Sequence, residues 1–331
     1  MAKFNVTDKR FPKWDKLEVS HNYVDMLSAI SVKVLNVPTL DDVLKYSTGF
    51  LLSTWDRNAS FLGITAFEGG SRIKKEDEIR LVYRALQGKF LPTFLETIRI
   101  TAIFNGVNTH DTTHFLRTRA FGFASDCTGD KTNEYRDIGV PEYLYEMGPD
   151  AVKRYKDATT ELMSLYVDSM NHGKVSHLDA RLMLPRTVNG FYYVTMNLGD
   201  ALSFIRKRLD RQIQPSSDNL LAIYLLKELC QTFPFLATLV DVDAKNSFYI
   251  NETQSNFGSH YYPPNEANKA ALEGKVDNDH FLFDVDRNEL LGQEAFRKLW
   301  DDAVKSIEYF KSVAKSMYPF LYDEEYLKDW K

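Results

Sequence analysis

The hydrophobic and polar positions of this chain repeat with two different periods, which predict a mixture of strands and helices. Alternating apolar positions, or runs of β-branched and aromatic residues, predict strands over 31–36, 98–107 and 190–195. Apolar residues three and four positions apart predict helices, which Gly, Pro and His-Gly signals end. The predicted helices cover 40–51, 71–87, 110–121, 151–171, 198–213, 218–232 and 294–317.

The segments between these elements are polar. Residues 1–30 are mixed in character and are interpreted as an N-terminal extension. The Gly, Ser, Asp and Thr residues of 122–132 predict a loop, and 246–279 predicts a longer loop before the last helix.

Composition narrows the class of protein. The 331 residues are 44% hydrophobic and carry a net charge of −5, which permits a large core and argues against a nucleic-acid-coating surface. No apolar run is long enough to span a membrane, and the first residues lack a signal peptide. Two cysteines, Cys127 and Cys230, give no disulfide framework. We expect a cytoplasmic protein, from a bacterium or a virus-infected host cell, without a nucleic-acid or membrane partner.

Arginines near apolar segments are the first candidate chemistry. Arg181 precedes Leu-Met-Leu-Pro, Arg208 ends an Arg-Lys-Arg cluster, and Arg117 and Arg119 flank one threonine. A guanidinium held against a core usually has an anionic or strongly accepting partner. These residues predict a pocket for a phosphorylated small molecule if they belong to one site.

Two other motifs have competing interpretations. His110 and His114 lie four positions apart and could chelate a metal, but Asp111 replaces the general-base Glu and no third ligand follows, so we predict a polar helix face and no metal. Cys127 lies in the hydroxyl-rich loop Ser125-Asp-Cys-Thr-Gly129, where it either lines a phosphate site or acts as a nucleophile.

The order of these features resembles the flavin-dependent thymidylate synthases, over roughly residues 31–235. That family has a Gly-His-x-x-Pro-Phe-Glu element, then Arg-His-Arg-x-x-Ser, Ala-Arg-x-x-Leu-Pro and Asn-x-Arg-x-Leu-x-x-Phe, followed by an arginine and a glutamine. The corresponding segments here are Gly88 to Glu96, Arg117-Thr118-Arg119, Ala180 to Pro185, Asn197 to Phe204, Arg208 and Gln214.

The resemblance implies an α+β fold, with a central sheet flanked by helices over 31–235 and extensions at 1–30 and 236–331. It implies one-carbon transfer to C5 of a pyrimidine nucleotide, most simply dUMP, from methylenetetrahydrofolate. The cofactor would be FAD, with NADPH a candidate reductant. The family also implies a homo-oligomer, here a tetramer or a dimer, with shared active sites.

The resemblance assigns nucleotide-binding roles to six residues, one of which, Arg117, also has a flavin-side role. Arg181 and Arg208 would contact the nucleotide, and Arg208 would polarise the uracil as a catalytic group. His114 lies one turn before the arginine pair, while Ser125 and Cys127 fall in the phosphate-binding loop. Cys127 is also a candidate catalytic nucleophile that would add to C6 of the pyrimidine.

Flavin-side roles fall on four residues under the same resemblance. Arg117 and Arg119 would lie beside both flavin and nucleotide, and Asn197 and Ser203 would align with flavin-side positions. On this flavin side, the chain also departs from the family pattern at several positions.

The departures concern the flavin and folate side more than the nucleotide side. The histidine of Arg-His-Arg is Thr118, the upstream Gly-His is Gly-Lys89, and the phosphate-binding arginine falls on Gly129. The product could therefore be a methyl or a hydroxymethyl pyrimidine, the latter for a modified DNA base. The base, uracil or cytosine, stays open. The alternative is a nucleotide-binding or scaffold protein that kept the fold without catalysis.

Overall fold

The computed structural model describes residues 18–44, 75–87, 92–117, 122–125, 133–172, 174–209, 211, 214–240, 242 and 290–323. Its strands are β1 (Glu18–Asp25), β2 (Ser31–Asn36), β3 (Arg99–Val107), β4 (Gly122–Ser125), β5 (Asn133–Val140) and β6 (Gly190–Asn197). Its helices are α1 (Lys75–Leu86), α2 (Thr109–Arg117), α3 (Glu142–Met147), α4 (Pro149–Asn171), α5 (His177–Ala180), α6 (Leu198–Arg208), α7 (Ser216–Cys230) and α8 (Gln293–Met317). Among these helices, none combines the length and the apolar character that crossing a membrane requires.

Four strands form an antiparallel sheet in the order β2-β3-β6-β4. Alternation along these strands turns one set of side chains towards the helices. The buried set comprises Val32, Ile100, Ala102, Phe104, Val194 and Met196. The opposite face shows Leu35, Phe191 and Tyr193 partly exposed in the described residues.

The helices α6 and α7 complete the main core on the buried face. Leucine and isoleucine side chains of α7 are buried almost all around the helix, because the sheet lies on one side and α8 on the other. Phe296, Trp300 and Ile307 of α8 belong to the same hydrophobic cluster. The helix α8, although it lies late in the sequence, is therefore part of the same core as the sheet.

A second, two-stranded sheet pairs β1 with β5 in parallel, and Glu18 lies opposite Asn133. This pair lies beside α4, where Tyr23 donates to the carbonyl of Lys156 at 2.8 Å. Tyr155 of α4 likewise donates to the carbonyl of Gly139 at 2.7 Å. The stretch interpreted as an N-terminal extension thus contributes a strand.

The sequence predictions agree with most of these elements. The α+β prediction is confirmed, as are the strands over 31–36, 98–107 and 190–195. The helix expected over 40–51 is observed for 40–44, and its remainder lies outside the described residues. Two boundaries were wrong: the loop over 122–132 begins with strand β4, and the helix over 198–213 ends at Arg208.

Candidate functional site

The first wall of the site is α2, whose start is fixed by a reciprocal cap. Asn108 Oδ1 accepts the Asp111 backbone N–H at 3.1 Å, and Asp111 Oδ2 accepts the Asn108 N–H at 3.2 Å. This pairing satisfies two backbone donors that a helix start leaves unbonded. Further along, the buried ring of Phe115 stacks on Phe204 of α6 with centroids 5.5 Å apart. The two helices are therefore held at a fixed spacing, with His114 beside Phe115.

The second wall is the end of α6, where three consecutive cations have separate environments. Arg206 is buried, and its Nη2 atom donates to the Leu239 carbonyl at 3.5 Å. Burial lowers the pKa of Arg206 to about 10. Burial also lowers the pKa of Lys207, and the charge of Arg208 adds to that shift. The cluster is thus not a solvated basic face, and Arg208 contacts α7 at Asp218.

Asp218, in the first turn of α7, joins these two walls. Its side chain is 1% exposed, and its Oδ2 atom lies 3.2 Å from Arg208 Nη1 and 2.6 Å from His114 Nδ1. The side chains of both partners are 12% exposed. Arg208 Nη1 also donates to Gln214 Oε1 at 2.5 Å. One buried carboxylate therefore holds an arginine and a histidine from two different helices.

The backbone around Arg208 is bonded as well. Asn219 Nδ2 donates to the Arg208 carbonyl at 2.6 Å, at the point where α6 ends. That carbonyl would otherwise be one of the unsatisfied acceptors of a helix C-terminus. This contact holds the backbone of Arg208, while Asp218 and Gln214 hold its guanidinium.

A second carboxylate, Asp111, lies behind the first. Ser217 Oγ donates to Asp111 Oδ1 at 2.7 Å, so one helix start bonds to the other. Burial raises the pKa of Asp111 to about 6; the Ser217 hydrogen bond opposes this rise, and the nearby charge of Asp218 adds to it. Two acidic groups are thereby kept in a site with little solvent.

This arrangement suits the recognition of a polar acceptor. At 3.2 Å, a charge pair has a gross attraction of about 5 kcal/mol at an effective dielectric constant of about 20. An arginine fixed in this way needs little rearrangement when a ligand arrives. Fixed donors in a partly dry site stabilise negative charge that develops on a bound oxygen. The geometry is that of a buried polar network, with two cations on one carboxylate only if His114 is protonated.

The structure describes the other predicted site residues to different extents. Arg181 begins the 3-10 turn Arg181–Met183, which packs on α4 in a small cluster apart from the main core. Ser203 is half-buried in the middle of α6. Asn197 is buried and caps α6, where its Oδ1 accepts the Asp200 N–H at 2.8 Å. Its amide also donates to the Asp200 side chain.

Four predicted residues are described partly or not at all. Arg117 ends α2 and Ser125 ends β4, but their side chains lie outside the described residues. Arg119 and Cys127 lie outside the described residues entirely. Their assignments stay predictions.

Sequence reasoning missed the buried acid of the site. Asp218 follows Pro215-Ser216-Ser217 and fits the acidic first turn that many helices have, so its position suggested a helix start and nothing more. Asp111 was seen only as a departure from a metal motif. The Asn108-x-x-Asp111 spacing of a capping box was a usable signal that this helix begins at Thr109.

The α+β domain thus holds an arginine and a histidine from two helices on one buried carboxylate. The family model described as Thymidylate synthase complementing protein, Thy1, matches residues 59–235, which is more than half of the chain. The chain therefore belongs to this family, and its resemblance to the flavin-dependent thymidylate synthases is confirmed.

A curated relative agrees with the family assignment. The flavin-dependent thymidylate synthase of Pyrococcus furiosus is 28% identical over 165 residues, covering 49% of this chain and 66% of the relative. The matched region thus spans slightly less than two thirds of that relative. The solved UMP/dUMP methylase PolB of Streptomyces cacaoi, bound with 5-Br dUMP, is 14% identical, with a TM-score of 0.48 and coverage of 65% of this chain and 93% of PolB.

Proposed function

We propose that this protein transfers a one-carbon unit to C5 of a pyrimidine nucleotide, dUMP in the first instance, with methylenetetrahydrofolate as the donor. The observation that carries the proposal is Arg208, held by Asp218 and Gln214 at the end of α6 inside the family region. The curated relative is named for thymidylate synthesis, which supports the same chemistry.

Arg208 supplies the electrostatic part of the reaction. C5 of uracil becomes a better nucleophile when the ring loses a proton and gains enolate-like character, so a donor placed at the ring carbonyl oxygen favours the reactive, ionised form. A guanidinium stays protonated at any physiological pH and offers several N–H groups in one plane. Loss of one such donor typically lowers kcat by about 100- to 1,000-fold.

Asp218 and His114 complete this role. The carboxylate contacts the guanidinium at Nη1, and its Oδ2 atom lies 2.6 Å from the imidazole Nδ1. We place His114 at the edge of the base, with Arg181 and the Ser125 to Gly129 loop as further nucleotide contacts. Cys127 remains a candidate nucleophile for C6, and a Cys127→Ser variant with full activity would eliminate that role.

A flavin cofactor belongs to the proposal, since the curated relative is flavin-dependent. Arg117, Arg119 and Ser203 would hold it. Asn197 is less suited, because both groups of its amide contact Asp200 at the start of α6. Reduced flavin supplies hydride, with NADPH as the reductant. Sites shared between subunits of a homo-oligomer, tetramer or dimer, are part of the same proposal.

The test begins with the purified protein. We expect a yellow protein whose flavin spectrum changes when dUMP is added, and a product heavier than dUMP by a methyl or a hydroxymethyl group. A colourless protein without flavin affinity would contradict the enzymatic proposal. If it still bound dUMP, the alternative of a nucleotide-binding or scaffold protein would stand, which the changes at Lys89, Thr118 and Gly129 favour.

Arg208 provides the residue-level test. Arg208→Lys keeps the charge but loses the planar fork, so we expect turnover to fall by about 100-fold or more. Arg297 on α8 is exposed, and Arg297→Lys serves as the matched control, with unchanged turnover expected. Equal activity of both variants would remove Arg208 from the mechanism.

A further inference from the structure

The segment between α6 and α7 carries Gln214 and leads from Arg208 to Asp218. The described residues of this segment and the start of α7 have contacts with three elements. The α7 start bonds to α2 through Ser217 and Asp111, and to the end of α6 through Asn219. The third element is α8, which lies outside the residues matched by the family model.

Trp300 of α8 contacts this segment at Arg211. The guanidinium carbon of Arg211 lies 5.3 Å from the centre of the Trp300 ring. The ring itself is 2% exposed and packs beside Phe296, with centroids 5.6 Å apart. A planar cation over a fixed indole face is an attractive and oriented contact. Arg211 is therefore anchored to a rigid part of the core.

A second contact comes from the first residue of α8. Gln293 Nε2 lies 3.5 Å from Ser216 Oγ, at the first residue of α7. This hydrogen bond is long, so the Trp300 contact carries more of the inference.

The position of α8 is fixed independently of these contacts. Gly292, just before the helix, has φ +82°. A Cβ atom at Gly292 would lie 2.9 Å from the Tyr143 backbone nitrogen, so the helix start closely approaches α3. A helix located in this way can hold a loop in a defined place.

We infer that α8 holds Arg211 in place between Arg208 and Asp218, with Trp300 as a positioning residue that sets the affinity of the site for its pyrimidine nucleotide. The ligand in this statement rests on the proposed function. The helix acts through Arg211 and the segment, and touches no reacting atom itself.

The experiment compares Trp300→Leu, Arg211→Met and the double variant in the full-length protein. Amide hydrogen exchange across the Arg208 to Asn219 peptide is measured without nucleotide, and the Kd for dUMP is measured by calorimetry. We expect faster exchange and a Kd raised by about three- to tenfold in each single variant. The double variant should match the larger single effect, because both changes break one contact.

Ile307→Ala is the control, since Ile307 is fully buried in α8 two turns beyond Trp300. It should lower the thermal midpoint, as a cavity does, while exchange in the 208–219 peptide and the dUMP Kd stay unchanged. Trp300→Phe keeps an aromatic face and should restore part of the affinity.

Unchanged exchange in Trp300→Leu would overturn the inference, as would faster exchange with an unchanged Kd. Additive effects in the double variant would also overturn it. If the wild-type protein binds no nucleotide, the proposed function fails; the exchange of the 208–219 peptide then still decides whether α8 orders that segment.

Discussion

Asp218→Asn is the most informative change that the structure suggests. The carboxylate is 1% exposed and lies within 3.2 Å of Arg208 and 2.6 Å of His114. Asparagine keeps the shape and one acceptor oxygen, but it removes the negative charge. Arg208 would then be a mostly buried cation that has lost the carboxylate 3.2 Å from its guanidinium.

The expected loss follows from the size of the interaction. The gross attraction for the arginine pair is about 5 kcal/mol, and breaking a buried pair at one partner typically costs about 3–5 kcal/mol. Because the amide retains a hydrogen bond, we expect the free energy of unfolding to fall by about 3 kcal/mol at neutral pH. Screening by salt is weak at a buried site, so added salt should change this loss little.

The assay is urea unfolding at low and high salt, with Asp302→Asn as the control. Asp302 forms a 3.0 Å pair with Lys305 on the exposed side of α8, where the pair is solvated. We expect no measurable change in unfolding for this variant. If Asp218→Asn behaves like the control, or if its loss vanishes in high salt, the carboxylate does not hold the site together.

Three further predictions concern neighbouring features. Burial raises the folded pKa of Asp111 from 3.8 to about 6, so the stability tied to its protonation is present below about pH 4 and lost as the pH rises through about 6. The unfolding free energy of wild type minus that of Asp111→Asn should therefore fall by about 3 kcal/mol over that window, and a pH-independent difference would contradict it. Gly106→Ala should cost at least about 2 kcal/mol in thermal unfolding, since φ is +70° and a Cβ would lie 2.4 Å from the Ala29 oxygen, whereas Gly122→Ala should be tolerated. Asn197→Ala should cost about 1 kcal/mol by removing a cap, and Asn197→Ser should restore part of it without placing a second carboxylate beside Asp200; flavin affinity lost in both variants would support a flavin contact at Asn197.

Local sequence patterns predicted three strands of the main sheet and the helices around it, because an element with one buried face has apolar residues at a regular spacing. They placed the end of α6 too late, because the apolar period continues past the helix: Leu209 continues the apolar stripe of α6, yet it is the C-cap residue. They also failed at β1 and β5, whose partners lie more than a hundred residues apart along the chain. Pairing over that distance depends on the whole fold, and no local signal encodes it.

The site was foreseen in part. The order of arginines identified the family and chose Arg208 and His114, which the structure places on one carboxylate. The carboxylate itself was hidden, since an acid in a first turn has an ordinary local reason to be there. The contact of Trp300 with Arg211 could not be predicted from the sequence either, because it depends on how α8 packs against the segment between α6 and α7.

The late position of α8 has a consequence for how the chain is made. During synthesis, the sheet, α6 and α7 leave the ribosome well before Gln293 does, and the apolar side of α7 that α8 covers has no partner until then. Exposed apolar surface of this kind recruits chaperones or drives aggregation. A shortened gene that stops after residue 235 should therefore yield an insoluble product, even though it contains the entire family region.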